Sequence, residues 1–156
     1  MTCVLPRREN TSLKYLKMIG WIALAVTIAA VVTVCLQVDD WNRDWSQNEA
    51  TLEGMTVNGT PSEVVDSLQT WADANLSWKV ESSEAQPGGA KVHLTHTTGF
   101  LRFVDDVHVE VTATSNDPPK SSVSAKSKSR VGKGDLGQNP RNLKKLEAAL
   151  VPLRAR

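Results

Sequence analysis

From Met18 to Val38 the chain runs for 21 positions without a charged residue, MIGWIALAVTIAAVVTVCLQV, and this run constrains everything else. At about 1.5 Å per residue, a helix of that length spans roughly 30 Å, the thickness of a hydrocarbon core. A helix buried in a soluble core normally keeps one polar face, and this run has none. The flanks set an orientation. Arg7, Arg8, Lys14 and Lys17 precede the run, whereas Asp39, Asp40 and Asp44 outnumber Arg43 after it. The N-terminus is therefore expected to be cytoplasmic, with the remainder periplasmic, otherwise extracytoplasmic, or lumenal. Trp21 at one end, and Trp41 and Trp45 at the other, suit the interfacial aromatic belt. The apolar stretch exceeds the roughly 7–15 residues of a secretory h-region, and no small-x-small site closes it. An uncleaved signal anchor is expected rather than a cleaved leader. Cys3 and Cys35 then lie on opposite sides of the bilayer and cannot pair within one chain.

Removing that segment from 156 residues leaves room for one domain. The expected division is a cytoplasmic segment 1–17, a membrane anchor 18–38, a juxtamembrane tether 39–57 and an α+β domain 58–156. Hydrophobic residues at 40% and charged residues at 22% suit a folded chain. The net charge of +1 hides an asymmetry: residues 39–117 carry 4 Lys+Arg against 14 Asp+Glu, and residues 118–156 carry 10 against 2. A basic C-terminal third next to an acidic partner in the same domain neutralises itself, so nucleic acid is not an expected partner.

Periodicity sketches the domain. A short strand is expected near Thr51–Val57. Thr60, Pro61 and Glu63 form a helix start with a capping box, followed by Val64, Val65, Leu68, Trp71 and Ala72 at helical spacing. Asn75 is expected to end that helix in a left-handed conformation. Four strand-like runs follow: Leu76, Trp78 and Val80; Val92, Leu94 and His96 after the Gln86-Pro87-Gly88-Gly89 turn; a long run sharing one parity from Leu101 and Phe103 through Val107, Val109 and Val111 to Ala113; and Val123, Ala125 and Val131 after Asn116-Asp117-Pro118-Pro119. A last helix has Asn139 as its expected N-cap, Pro140 at its first position, and Leu143, Leu146, Leu150 and Leu153 on one face. The expected fold is α+β: a transmembrane helix, then a two-layer domain with an antiparallel sheet of about four strands and two helices on one face.

Parity also locates polar residues where apolar ones belong. Asp105 shares the parity of Phe103 and Val107, which places a carboxylate on the covered face, where it needs donors. Ser127 and Ser129 share the inward parity of the fourth run and can supply them. On the outer parity, Asp106 can pair with Lys128 or Arg130. The loop Arg130-Val131-Gly132-Lys133-Gly134-Asp135-Leu136-Gly137-Gln138-Asn139 runs into a helix N-terminus, and its amides with Arg130, Lys133 and Arg141 can hold an anion. Its spacing is not that of a Walker loop, and Asp135 and Asn139 equally suit a self-capped connection. His93 and His96 face opposite sides of a strand, and His93 can meet His108 only if register allows. No metal site and no cofactor are expected.

The two polar stretches carry a resemblance. Phe103, Asp105, Asp106 and Val107, followed by Ser127, Ser129, Arg130, Gly132, Asp135, Gly137 and Asn139, resemble a bacterial and plastid family, domain of unknown function fourteen-ninety-nine. Its pattern is F-x-D-D-V and then S-x-S-R-x-G-x-x-D-x-G-x-N-x-x-R. The final Arg falls two residues after Asn139 here, as Arg141, and Asn142 stands in the usual place. The resemblance runs from about Asn58 to Val151. It implies an envelope or lumenal protein and carries no known reaction. The leading expectation is a non-enzymatic, membrane-tethered module, held by residues 18–38, that binds an envelope protein or a small polar ligand through Asp105, Asp106, Arg130 and the glycine loop. The alternatives are an enzyme with Asp105 or Asp106 as general base, and a carrier holding an apolar ligand between the sheet and the last helix.

Overall fold

An uninterrupted apolar sequence has no reason to leave the helix, and helix α1 runs from Thr11 to Gln37 over 27 residues. The computed structural model describes residues 11–37 and 46–154, and the chain divides into two units, Met1–Val38 and Asp39–Arg156. Lys14–Leu36 within α1 is long and apolar enough to cross a membrane, and none of its described side chains is buried. Its hydroxyls are self-satisfied: Thr27 Oγ1 donates to Ala23 O (2.9 Å) and Thr33 Oγ1 to Ala29 O (2.8 Å), so neither leaves a bare donor in an apolar medium. Trp41, Trp45 and the acidic flank lie outside the described residues.

The second unit is α+β. Strands β1 (Glu49–Asn58), β2 (Trp78–Gln86), β3 (Gly89–Thr97), β4 (Val104–Asn116) and β5 (Pro119–Ser129) form one antiparallel sheet in the order β1-β5-β4-β3-β2. Helices α2 (Pro61–Asp73) and α3 (Gln138–Leu150) contribute Val64, Leu68 and Ala72, and Leu143, Leu146 and Leu150, to one core. That core packs against inward residues of the sheet, among them Val92, Leu94, Val107, Val109, Val111 and Val123. The β2–β3 and β4–β5 hairpins use two-residue turns, Pro87-Gly88 and Asp117-Pro118, and a six-residue loop joins β3 to β4. The α2 start is the expected capping box: Glu63 N donates to Thr60 Oγ1, and Thr60 N donates to Glu63 Oε2.

Several local expectations are corrected. The sheet has five strands rather than four, because the segment read as a tether with a short strand supplies a full edge strand. A register shift between Leu52 and Met55 breaks its alternation, so Ala50 and Leu52 point inward before it and Met55 and Val57 after it. Gly54 sits in that irregularity, where a Cβ would approach Ser122 Oγ to 2.8 Å. Strand β4 begins at Val104, not Leu101: Arg102 has φ +56, and Leu101 and Phe103 project into solvent. Leu76 and Val131 are likewise exposed beyond the ends of β2 and β5. Asn75 is not left-handed; α2 closes through a right-handed Ala74, and Asn75 Nδ2 donates to Trp71 O (2.7 Å). Asn139 is not the N-cap of α3. Gly137 (φ +75) holds that position and Asn139 is fully buried.

Candidate functional site

Adjacent carboxylates on one strand face opposite ways, and β4 puts Asp105 in the core and Asp106 on the open face. Asp105 is 1% exposed and surrounded by donors. Its Oδ1 accepts Ser129 Oγ–H at 2.6 Å, and its Oδ2 accepts Asn142 Nδ2–H at 2.8 Å and lies 3.4 Å from His96 Nδ1. The network continues: Ser127 Oγ donates to Asn139 Oδ1 (2.6 Å), while Asn139 Nδ2 donates to Asn48 O (2.7 Å) and to Ser129 Oγ (3.1 Å). No buried side-chain polar atom among the described residues lacks a partner. Burial pushes the Asp105 carboxyl up, but donation from His96, Ser129 and Asn142 outweighs it and holds the group below the usual carboxylate range.

The sheet register brings together the outer cluster. Asp106 lies opposite Thr95 on one side and Lys128 on the other, and His93 lies opposite His108. Arg130 Nε donates to Asp106 Oδ2 (2.8 Å) and its Nη2 to Oδ1 (2.7 Å), a bidentate pair. His93 Nε2 lies 2.8 Å from the same Oδ1, and the His93 and His108 rings stack at 4.5 Å with planes 13° apart. The Arg130 hydrogen bonds, joined by those of His93, hold the Asp106 carboxyl down at about 2 despite partial burial. Lys128 is not the partner of Asp106: its ammonium turns to Glu49 at 3.7 Å, alongside Lys126 at 3.1 Å. Among the described residues no three His, Cys, Asp or Glu side chains converge to hold a metal ion.

The glycine loop spends its polar groups on its own closure. Asp135 Oδ1 accepts Gly137 N–H (2.9 Å) and Oδ2 accepts Asn139 N–H (2.7 Å), which caps α3 from outside the helix. Asn48 Nδ2 donates to Gly132 O (2.7 Å), Asp135 N to Gln47 O (3.2 Å), and Arg141 Nη1 to Leu136 O (3.0 Å). The α3 N-terminus is thus occupied by a carboxylate, and Lys133 remains on the loop's exposed side. His96, Asn142 and Asn48 complete the inner network without having been assigned to it. His96 shares the inward parity of Leu94, and Asn142 lies one turn from Asn139 on the buried face of α3, so both signals were in the pattern. Nothing in the sequence marks Asn48.

Two depressions flank these clusters. One of about 640 Å³ crosses the open sheet face beside His93, His108, Glu110 and Lys126. The other, about 780 Å³, runs between β1 and α3, where Leu52, Pro140 and Leu143 alternate with Glu49, Lys144 and Glu147. Its mixed walls are those of a solvated groove. Asp105 lines neither. Comparison with curated proteins finds no match. A family described as "Protein of unknown function (DUF1499)" matches residues 25–150, from the second half of the apolar helix to the last residue of α3. The match spans most of the chain, the sheet domain included, and the chain belongs to this family.

Proposed function

We propose that this chain is a membrane-anchored, non-enzymatic accessory module of the cell envelope. In this reading α1 is an uncleaved signal anchor with a cytoplasmic N-terminus, and the domain binds its partner through the open sheet face around Asp106, Arg130, His93 and His108, with Lys133 at the edge. The observation that carries the reading is the contrast between the two aspartates. A general base must reach its substrate and retain affinity for a proton. Asp105 is closed off by its own donors, and Asp106 is held at about 2 by Arg130, which makes it a weak base but a fixed, oriented charge. A preset bidentate pair with a stacked histidine pair, on the sheet face opposite α2 and α3, suits recognition of a polar surface.

The reading is tested in the intact chain in its membrane by placing a photo-crosslinking residue at His108 on the open face, or at Asp66 on the exposed side of α2. A discrete adduct from position 108 that position 66 does not give, weakened by Lys133→Ala with an unchanged thermal midpoint, supports it. Identical adduct patterns from both faces, or none from 108, count against it. A Lys133→Ala chain that fails to fold would make the loop architectural.

A further inference from the structure

The large apolar side chains left exposed on the domain are unevenly placed. Among residues 46–154 they are Leu76, Phe100, Leu101, Phe103, Val131 and Val151. Val151 lies past the end of α3, near the bridge between Val57 and Arg154, at the far end of the sheet. The other five sit in three loops that the hydrogen bonds bind into one end. Thr97 N donates to Ser77 O (2.8 Å), joining the turn carrying Leu76 to the end of β3. Thr98 N donates to Phe103 O (2.8 Å), closing the β3–β4 loop, and Arg130 N donates to Val104 O (3.0 Å), setting Val131 beside it. Leu76, Val104 and Arg130 line one small depression there. Phe100 is 97% and Leu101 62% exposed, with the cationic Arg102 between Leu101 and Phe103.

The same end receives the chain from the apolar helix. Ser129 N donates to Asn48 O (3.1 Å), and Asp135 N to Gln47 O (3.2 Å), so the start of β1 lies beside the Val131 loop. Residues 38–45, eight in all, connect α1 to Ser46 and can span at most about 28 Å. At the opposite end, the Asp117-Pro118 turn is separated from this one by the length of β4, about 43 Å for 13 residues, and the Pro87-Gly88 turn, bonded to Ala113, by about 30 Å along the same strand. Soluble domains rarely leave aromatic and aliphatic side chains grouped at one end without a surface to cover them.

We infer that the cluster of Phe100, Leu101 and Phe103, supported by Leu76 and Val131, rests in the interfacial layer of the same bilayer that α1 crosses, giving the domain a second, non-covalent membrane contact. The inference rests on the anchoring proposed above. The chemistry is that of an interfacial wedge: aromatic and leucyl side chains enter the headgroup and acyl boundary, and Arg102 stays at phosphate level.

The full chain, with Cys3→Ser and Cys35→Ser, is reconstituted into phosphatidylcholine/phosphatidylglycerol vesicles. It carries an environment-sensitive fluorophore at Gly99→Cys, where a Cβ meets nothing within 4 Å, or at Gln86→Cys at the opposite end. Blue-shifted emission at 99, quenched by headgroup-level spin-labelled lipid, with neither effect at 86, supports the contact. Phe100→Ser with Leu101→Ser should abolish both effects while leaving the thermal midpoint unchanged, and Val151→Ser should abolish neither. A chain that floats with the vesicles but shows an unquenched, water-exposed label at 99 overturns the contact while the anchoring stands. A label at 99 shielded from water yet not quenched by lipid assigns the cluster to a protein surface and also overturns it. A chain that does not float removes the anchoring, and the contact falls with it.

Discussion

Replacing Asp105 by alanine removes the acceptor on which three side chains converge. Ser129 Oγ and Asn142 Nδ2 lose well-formed bonds of 2.6 and 2.8 Å, and His96 Nδ1 loses its 3.4 Å contact, all inside the core. Each buried donor left without a partner costs about 1–3 kcal/mol. Asn142 keeps a weaker alternative in Ser127 Oγ at 3.3 Å, which offsets part of the loss. The expected destabilisation is about 3–5 kcal/mol, a large share of the roughly 5–15 kcal/mol that holds a domain together. Asp106→Ala breaks a pair whose arginine is half exposed, and about 0–1 kcal/mol is expected. The assay is urea unfolding of the full chain in detergent micelles, followed by near-ultraviolet circular dichroism of the Trp71–Trp78 pair, whose ring centroids lie 4.7 Å apart. With a urea dependence of about 1.5 kcal/mol per molar, Asp105→Ala should lower the midpoint by roughly 2–3 M and Asp106→Ala by well under 1 M. Equal, small shifts would show that the inner network does not bear on stability, and the argument from strand parity would be wrong.

Acid should act through the same two residues. Both carboxyls lie below their ordinary value of 3.8 in the folded chain, Asp106 at about 2. A depressed folded pKa gives stability that is complete above the unfolded value and is lost as pH falls through the folded one. The thermal midpoint should therefore drop between about pH 4 and 2, and Asp106→Asn should flatten part of that drop; an identical profile in the variant would remove the linkage. Asp135→Ala deprives Gly137 N and Asn139 N of their acceptor and should cost about 1–2 kcal/mol in urea unfolding, whereas a neutral result would show that α3 needs no cap.

The parts of the fold legible in the sequence are those where one local rule acts alone. The α2 capping box, the two apolar helix faces and the alternation of β3 and the middle of β4 follow from spacing, because each side chain's direction is fixed by its own backbone period. Strand β1 was harder to see, since the irregularity between Leu52 and Met55 shifts parity halfway along it. Leu101, Phe103, Leu76 and Val131 continue the parity of their strands past the strand ends, so the pattern extends where the hydrogen-bonded ladder does not. The inward placement of Asp105, Ser127 and Ser129 was readable, and so was the Ser129–Asp105 hydrogen bond, but the other partners were not. Ser127 bonds to Asn139 and Asn142 instead of Asp105, and only the packing of α3 over the ends of β4 and β5 brings these groups together. Likewise, the choice of Arg130 over Lys128 for Asp106 depends on Glu49 drawing the lysine away, a contact across the β1–β5 pairing.

The proposed module requires above all that α1 hold the sheet domain outside the cytoplasm. Protease added to intact bacterial spheroplasts that express the chain with an N-terminal epitope tests this directly. The expected result is loss of the domain, with a short, membrane-bound, epitope-carrying fragment that contains α1 and survives until the membrane is broken. A domain protected in intact spheroplasts would reverse the topology. A shortened chain in the soluble fraction, lacking the epitope, would make α1 a cleaved leader and contradict the anchored module.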